Sequence, residues 1–203
     1  MIQKPLSSCL PRRNSTKNRF ILSGYALFLI TFFFLIPAEN NYAQTSKQQT
    51  SDCTRSTPVP VVKKSVFPNS AFKLSRDKRT GTETVKFANG DKLTITNTGC
   101  EYYYLGFRFE TSRFSAPSSD TKYWFEQAVK LIKQTEKGID APVQMADAIQ
   151  ALTKYIENTK KPEFGNEIDY GGTDIRTFVS VKKIKKISTQ KFALEVYFAV
   201  GPL

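Results

Sequence analysis

The 203-residue sequence predicts an α+β fold in which an antiparallel sheet, made of a four-strand meander and a C-terminal hairpin, is covered on one face by an antiparallel pair of helices. Three observations predict it. Apolar and polar residues alternate from Phe67 to Phe109, short turn sequences interrupt that alternation, and the apolar period lengthens to that of a helix after Pro117 before alternation returns near Ile175.

The chain opens with a basic cluster, Arg12, Arg13, Lys17 and Arg19. Seventeen uncharged, mostly apolar residues follow from Phe20 to Ile36, then Pro37-Ala38-Glu39-Asn40-Asn41-Tyr42-Ala43. This is the layout of a secretory signal peptide, and it predicts loss of residues 1–43 and export to the periplasm or beyond. The competing reading is an uncleaved membrane anchor of a structural envelope component, because seventeen residues at about 1.5 Å each approach the roughly 30 Å of a bilayer core. The small residues Ala38 and Ala43 and the polar Gln44-Thr45-Ser46 favour cleavage, which leaves only transient membrane contact through the signal.

Cleavage removes Cys9 and leaves two cysteines, Cys53 and Cys100. An even pair in an oxidising compartment predicts a disulfide. Residues 44–66, rich in Thr, Ser, Gln and Lys and broken at Pro58-Val59-Pro60, read as a flexible arm tethered by that bridge. Residues 67–203 then form one domain of ordinary size.

In the first strand Phe72 and Leu74 share a face. Val85 and Phe87 do so in the second, Leu93 and Ile95 in the third, and Tyr103, Leu105, Phe107 and Phe109 in the fourth. Lys78-Arg79-Thr80-Gly81, Asn89-Gly90-Asp91 and Asn97-Thr98-Gly99 supply the turns, Asn-Gly because both residues tolerate positive φ. After Pro117, Ser118 or Ser119 is placed to cap a helix whose stripe is Trp124, Ala128, Leu131 and Thr135, widened by Phe125, Val129 and Ile132, with Gly138 as its stop. Asp140 with Pro142 predicts the start of a second helix, with Met145, Ile149, Leu152 and Ile156 as its stripe up to Lys160-Lys161-Pro162. Two final strands, Ile175 to about Ile187 and Phe192 to Val200, flank Ser188-Thr189-Gln190-Lys191. Whether that hairpin joins the meander is open from sequence.

The chemistry is bounded mainly by what is missing. There is no histidine in the chain, which excludes Ser-His-Asp, Cys-His and His-metal hydrolases. The phosphate-cradling glycine motifs, the nucleophile elbow and zinc-finger spacings are absent as well, so neither a nucleotide nor any cofactor is expected. The mature chain carries 25 Lys and Arg against 17 Asp and Glu. Its basic balance suits an anionic partner, and export discounts nucleic acid.

Two sets of residues stand out as candidate binding positions. Tyr102, Tyr104 and Arg108 share the strand face opposite the core-facing Tyr103/Leu105/Phe107/Phe109, and exposed tyrosine and arginine commonly carry contacts to proteins and sugars. The other set is Lys182, Lys183, Lys185 and Lys186, suited to an anionic surface or, alternatively, to guarding an edge strand. Alternation spreads those lysines over both faces. Glu167, Asp169 and Asp174 flank a glycine loop but lack the spacing of a calcium loop. Glu101, Glu110 and Asp120 are the carboxylates considered for a histidine-free glycan hydrolase, the alternative to a non-catalytic module that binds an envelope protein or an anionic polymer.

Overall fold

A computed structural model describes Cys53 and residues 55–172 and 174–202. The region read as a signal peptide, 1–43, and the first part of the arm lie outside the described residues. Seven strands form one antiparallel sheet: β1 (Ala71–Leu74), β2 (Gly81–Lys86), β3 (Lys92–Thr98), β4 (Tyr103–Thr111), β5 (Ile168–Gly171), β6 (Arg176–Lys186) and β7 (Phe192–Gly201). Helices α1 (Thr121–Thr135) and α2 (Met145–Asn158) lie between β4 and β5 in the chain. The strand order is β1-β2-β3-β4-β7-β6-β5, so β7 pairs with β4 and the C-terminal hairpin completes the meander's sheet.

One face of this sheet is apolar because of the alternation. Val85, Leu93, Ile95, Leu105, Phe107 and Phe109 are buried in a single cluster with Val179, Val181, Leu194, Val196 and Phe198. The helices close that cluster with the stripes expected of them: Phe125, Ala128, Leu131 and Ile132 from α1, and Met145, Ile149, Leu152 and Ile156 from α2. Trp124, fully buried, packs on Phe192 and donates its indole N–H to Pro117 O at 3.0 Å.

Several boundaries differ from the expectation, each for a local reason. Asp120, one residue beyond Ser119, caps α1 by accepting from the backbone N–H of Tyr123 at 3.2 Å. Asp140 does not cap α2. Its backbone N–H donates to Val61 O at 2.7 Å and Ile139 bridges to Val62, so this segment is held extended and the helix starts only after Gln144. Glu136–Gly138 closes α1 as a short 3₁₀ turn. The Phe67 ring sits 2.1 Å from where a side chain at Gly138 would begin, which reserves that position for glycine.

β1 stands at the edge of the sheet, and Phe72 on it is 37 % exposed instead of lining the core. The acidic glycine loop contains β5, a strand not foreseen. Glu167 and Asp169 there are paired to Arg176 at 2.9 and 2.8 Å and not directed at an ion. Among the described residues there is no group of three side chains arranged to hold a metal, and no helix is long and apolar enough to cross a membrane.

The arm's described part packs onto the sheet. Val61 and Val62 are buried, and their backbone N–H groups donate to the two carboxylate oxygens of buried Glu83 at 2.6 and 3.1 Å. Cys53 and Cys100 form the disulfide, with Cα atoms 5.1 Å apart, fixing the arm to the turn between β3 and β4.

Candidate functional site

Among the described residues the helices lie on one face of the sheet, and the register determines what the other face displays. On β4 that face carries Tyr104, Gly106, Arg108 and Glu110. Opposite them on β7 stand Ala199, Tyr197, Glu195 and Ala193. Gly106 has no side chain because the Tyr197 ring lies over it, 2.9 Å from where a Cβ would be placed.

Tyr102 and Tyr104 stack at 5.8 Å with their planes 26° apart. They form a half-buried ledge beside the disulfide, where the Tyr102 ring lies against Gly201 and the Tyr104 ring against Gly99. Arg108 stands away from them, four residues further along the strand, and its guanidinium is committed. It donates to Glu110 at 3.2 Å and to Glu195 at 2.8 Å. The three residues read as one candidate set are therefore a tyrosine ledge and a separate ion pair.

The lysine run behaves differently from its alternation pattern because β6 contains a bulge. The register shifts between Val181 and Lys183, leaving Lys182 as the extra residue. Lys183 then faces Glu195 and Lys185 faces Ala193, which puts both lysines on the uncovered face, while Lys186 pairs with Phe192 on the helix-bearing side. Lys183 Nζ lies 3.3 Å from Glu195, and Lys191 Nζ lies 3.7 Å from Glu110.

Two lysines with no signal of their own in the chain, Lys86 and Lys92, join this group. Lys86 pairs with Lys92 across β2 and β3, and Lys92 pairs in turn with Glu110. A cross-strand row on the uncovered face thus reads Lys86, Lys92, Glu110, Ala193, Lys185, and the next row contains Arg108, Glu195 and Lys183. With Lys191, six cations surround two carboxylates. Surface ion pairs of this kind contribute little stability, about 0–1 kcal/mol each, so the cluster's main physical consequence is a positive field at one end of the sheet.

The tyrosine ledge lies at the opposite end. Tyr104 and Glu110 are six residues apart on β4, a separation of roughly 20 Å at about 3.3 Å per residue. The structure does not bring the two candidate sets into one site. Glu110 and Asp120, two of the carboxylates considered for glycan hydrolysis, serve as an ion-pair partner and a helix cap.

On the helix-bearing side, at the tyrosine end, are two phenols, buried Tyr103 and half-buried Tyr170. Tyr103 is 6 % exposed, with the Asn97 side chain beside its hydroxyl. Asn97 also donates to Val59 O and accepts from Arg55. Burial pushes the Tyr103 phenol up to about 12, with the Arg55 guanidinium 4.1 Å above its ring acting in the other direction. Burial, reinforced by Asp147, raises Tyr170 to about 12 as well.

The sign of the pH effect follows from these shifts. Unfolded tyrosine ionises near 10, so below that pH both states hold the proton and the full stability is present. Between pH about 10 and about 12 the unfolded chain releases these protons and the folded chain retains them. Stability therefore falls through that interval. Denaturant titrations across it should show the fall in the native protein and a flatter profile in the Tyr103→Phe/Tyr170→Phe variant.

No protein family, curated protein or solved structure matches the chain.

Proposed function

We propose that the protein is an exported, non-catalytic binding module that docks the lysine-bearing end of its uncovered sheet face on an anionic polymer of the cell envelope or surface. The observation that carries this reading is the convergence of Lys86, Lys92, Lys183, Lys185 and Lys191 from three strands and a turn onto one end of one face. A sheet with one covered face offers a broad platform, and ammonium groups on flexible stems suit repeated phosphate, sulfate or carboxylate groups better than a single fixed ligand. Export is supported by the signal-like N-terminal layout and by the Cys53–Cys100 bridge, a bond characteristic of oxidising compartments. The tyrosine ledge of Tyr102 and Tyr104 supplies a second contact area for a partner long enough to cross the sheet.

The test is binding to a heparin oligosaccharide as a polyanionic probe. At about 1 kcal/mol per lysine near an anionic surface, Lys183→Ala/Lys185→Ala should weaken binding roughly thirtyfold. Lys63→Ala/Lys64→Ala, on exposed positions of the arm, should leave it unchanged. Equal losses in both variants, or no binding by the native protein, would contradict the reading.

A further inference from the structure

On the face of the sheet away from the helices, β4 and β7 together carry a track that is aromatic at one end and charged at the other. Register fixes its order. The Tyr102 ring lies against Gly201, then Tyr104 stands opposite Ala199, Gly106 opposite Tyr197, Arg108 opposite Glu195 and Glu110 opposite Ala193. Tyr197 joins the two ends, because it stands one row from Tyr104 and one row from Arg108, roughly 7 Å along the strands in each direction.

Glycine lets these rings lie down on the sheet. A Cβ on Gly106 would sit 2.9 Å from Cε1 of Tyr197 and 3.3 Å from both Cδ1 and Cζ, a position beneath the face of the ring and not off its edge. A Cβ on Gly201 would likewise meet the Tyr102 ring, at 2.7 Å from Cδ1 and 2.8 Å from Cγ. A ring that rests on glycine by one face offers the other, and Tyr102, Tyr104 and Tyr197 are half-buried, each keeping part of its surface in solvent.

Outward aromatic faces attract the C–H groups of a sugar ring, because the π-cloud is negative and those hydrogens are partly positive. A bare phosphate chain has no such groups to offer them. The charged end narrows the occupant further. Lys92, Lys183, Lys185 and Lys191 supply ammonium groups for anionic substituents. Glu110 and Glu195 stand among them and repel a polymer made only of acceptors. Toward a polymer that also carries hydroxyl donors they can accept, since each spends two of about four acceptor sites on its ion pairs. Thr94 and Thr96 on β3, level with Arg108 and Gly106, add hydroxyls along the flank of the track. Ring faces, hydroxyl donors and repeated negative groups occur together in an acidic polysaccharide. Single-stranded nucleic acid also combines flat rings with charge, but the Cys53–Cys100 bridge, a bond of oxidising compartments, favours the sugar polymer.

We infer that the anionic polymer docked by this face is an acidic polysaccharide, with sugar rings stacked on Tyr104 and Tyr197 and its carboxylate or sulfate groups among Lys92, Lys183, Lys185 and Lys191. The inference rests on the polyanion reading above and names its occupant. From Tyr104 to Glu110 the track is roughly 20 Å long at the usual strand rise, so a disaccharide cannot engage both ends and a longer chain can.

The test compares a heparin decasaccharide, a heparin disaccharide, linear polyphosphate and a single-stranded oligothymidylate by calorimetry. The native protein should bind the decasaccharide far more tightly than the disaccharide. Tyr104→Leu/Tyr197→Leu keeps an apolar cover on Gly106 but removes the ring faces, and it should weaken decasaccharide binding about tenfold while leaving polyphosphate binding level. Tyr104→Phe/Tyr197→Phe keeps the rings and should bind the decasaccharide as the native protein does. Lys183→Ala/Lys185→Ala should weaken binding of both polymers. The inference is overturned if the leucine variant keeps native affinity for the decasaccharide, or if it loses both polymers equally, which would show that the rings serve the fold. It is also overturned if the phenylalanine variant loses as much as the leucine one, if the disaccharide binds as tightly as the decasaccharide, or if the oligothymidylate binds more tightly than either. In each of these cases polymer binding that still depends on Lys183 and Lys185 leaves the polyanion reading standing, whereas a native protein that binds neither heparin nor polyphosphate overturns both.

Discussion

Replacing the bridge with Cys53→Ser/Cys100→Ser should lower the stability of the protein by about 4 kcal/mol in the chain-entropy model of loop closure. The bridge spans 47 positions of sequence, a loop that contains the arm from Cys53 onward and the whole of β1, β2 and β3. Without it the unfolded chain gains the freedom of that loop, whereas the folded chain keeps Arg55 on Thr98 O and Asn97, and Val61 and Val62 on Glu83. Urea titration of the double variant, and of the native protein in reductant, should give matching shifts of the midpoint. A loss below about 1 kcal/mol would mean that the arm is held by its packing alone.

Glu83→Ala should be comparably severe, costing about 3–5 kcal/mol. Glu83 is 3 % exposed, and its carboxylate is the acceptor for two buried backbone donors, Val61 N and Val62 N. Truncation leaves both unpaired, at roughly 1–3 kcal/mol each, and the lost bonds are of the stronger, charge-assisted kind. Glu83→Gln should recover part of the loss, because its amide oxygen still accepts one bond while its NH₂ faces the other donor. Amide hydrogen exchange at Val61 and Val62 should accelerate in both variants, more in the alanine. Since bridge and carboxylate hold the same segment, the combined loss should depart from the sum of the two single losses.

Glu83 also marks where the sequence stops being informative. Its position on β2, between Gly81 and Val85, follows the core-facing parity of the strand, and an acidic residue there looks like an exception to the pattern until the arm is seen beside it. The strands and helical stripes were legible because burial on one face imposes a period, and Leu93, Ile95, Phe107, Leu131 and Leu152 all occupy the positions that period requires. Boundaries set by tertiary pairing were not. Asp140 carries every local sign of a cap, yet its backbone is claimed by Val61, and nothing near Asp140 in the sequence announces that partner.

The candidate site was legible only in pieces for the same reason. Lys183 and Lys185 were visible as a run, but the bulge at Lys182 decides which face they take, and Lys86 and Lys92 reach them only through the pairing of five strands. Arg108 stood out as an exposed cation on an aromatic strand. Its neutralisation comes from Glu195, 87 positions away.

The most direct test of the polyanion reading is the salt dependence of heparin-oligosaccharide binding by the native protein and by Lys183→Ala/Lys185→Ala. If this face docks by displacing counterions, log Kd should rise linearly with log salt concentration, and the slope should shrink by about one to two in the variant, one contact being lost per lysine. A slope near zero in the native protein, or the same slope in both proteins, would contradict the reading and place the binding surface elsewhere.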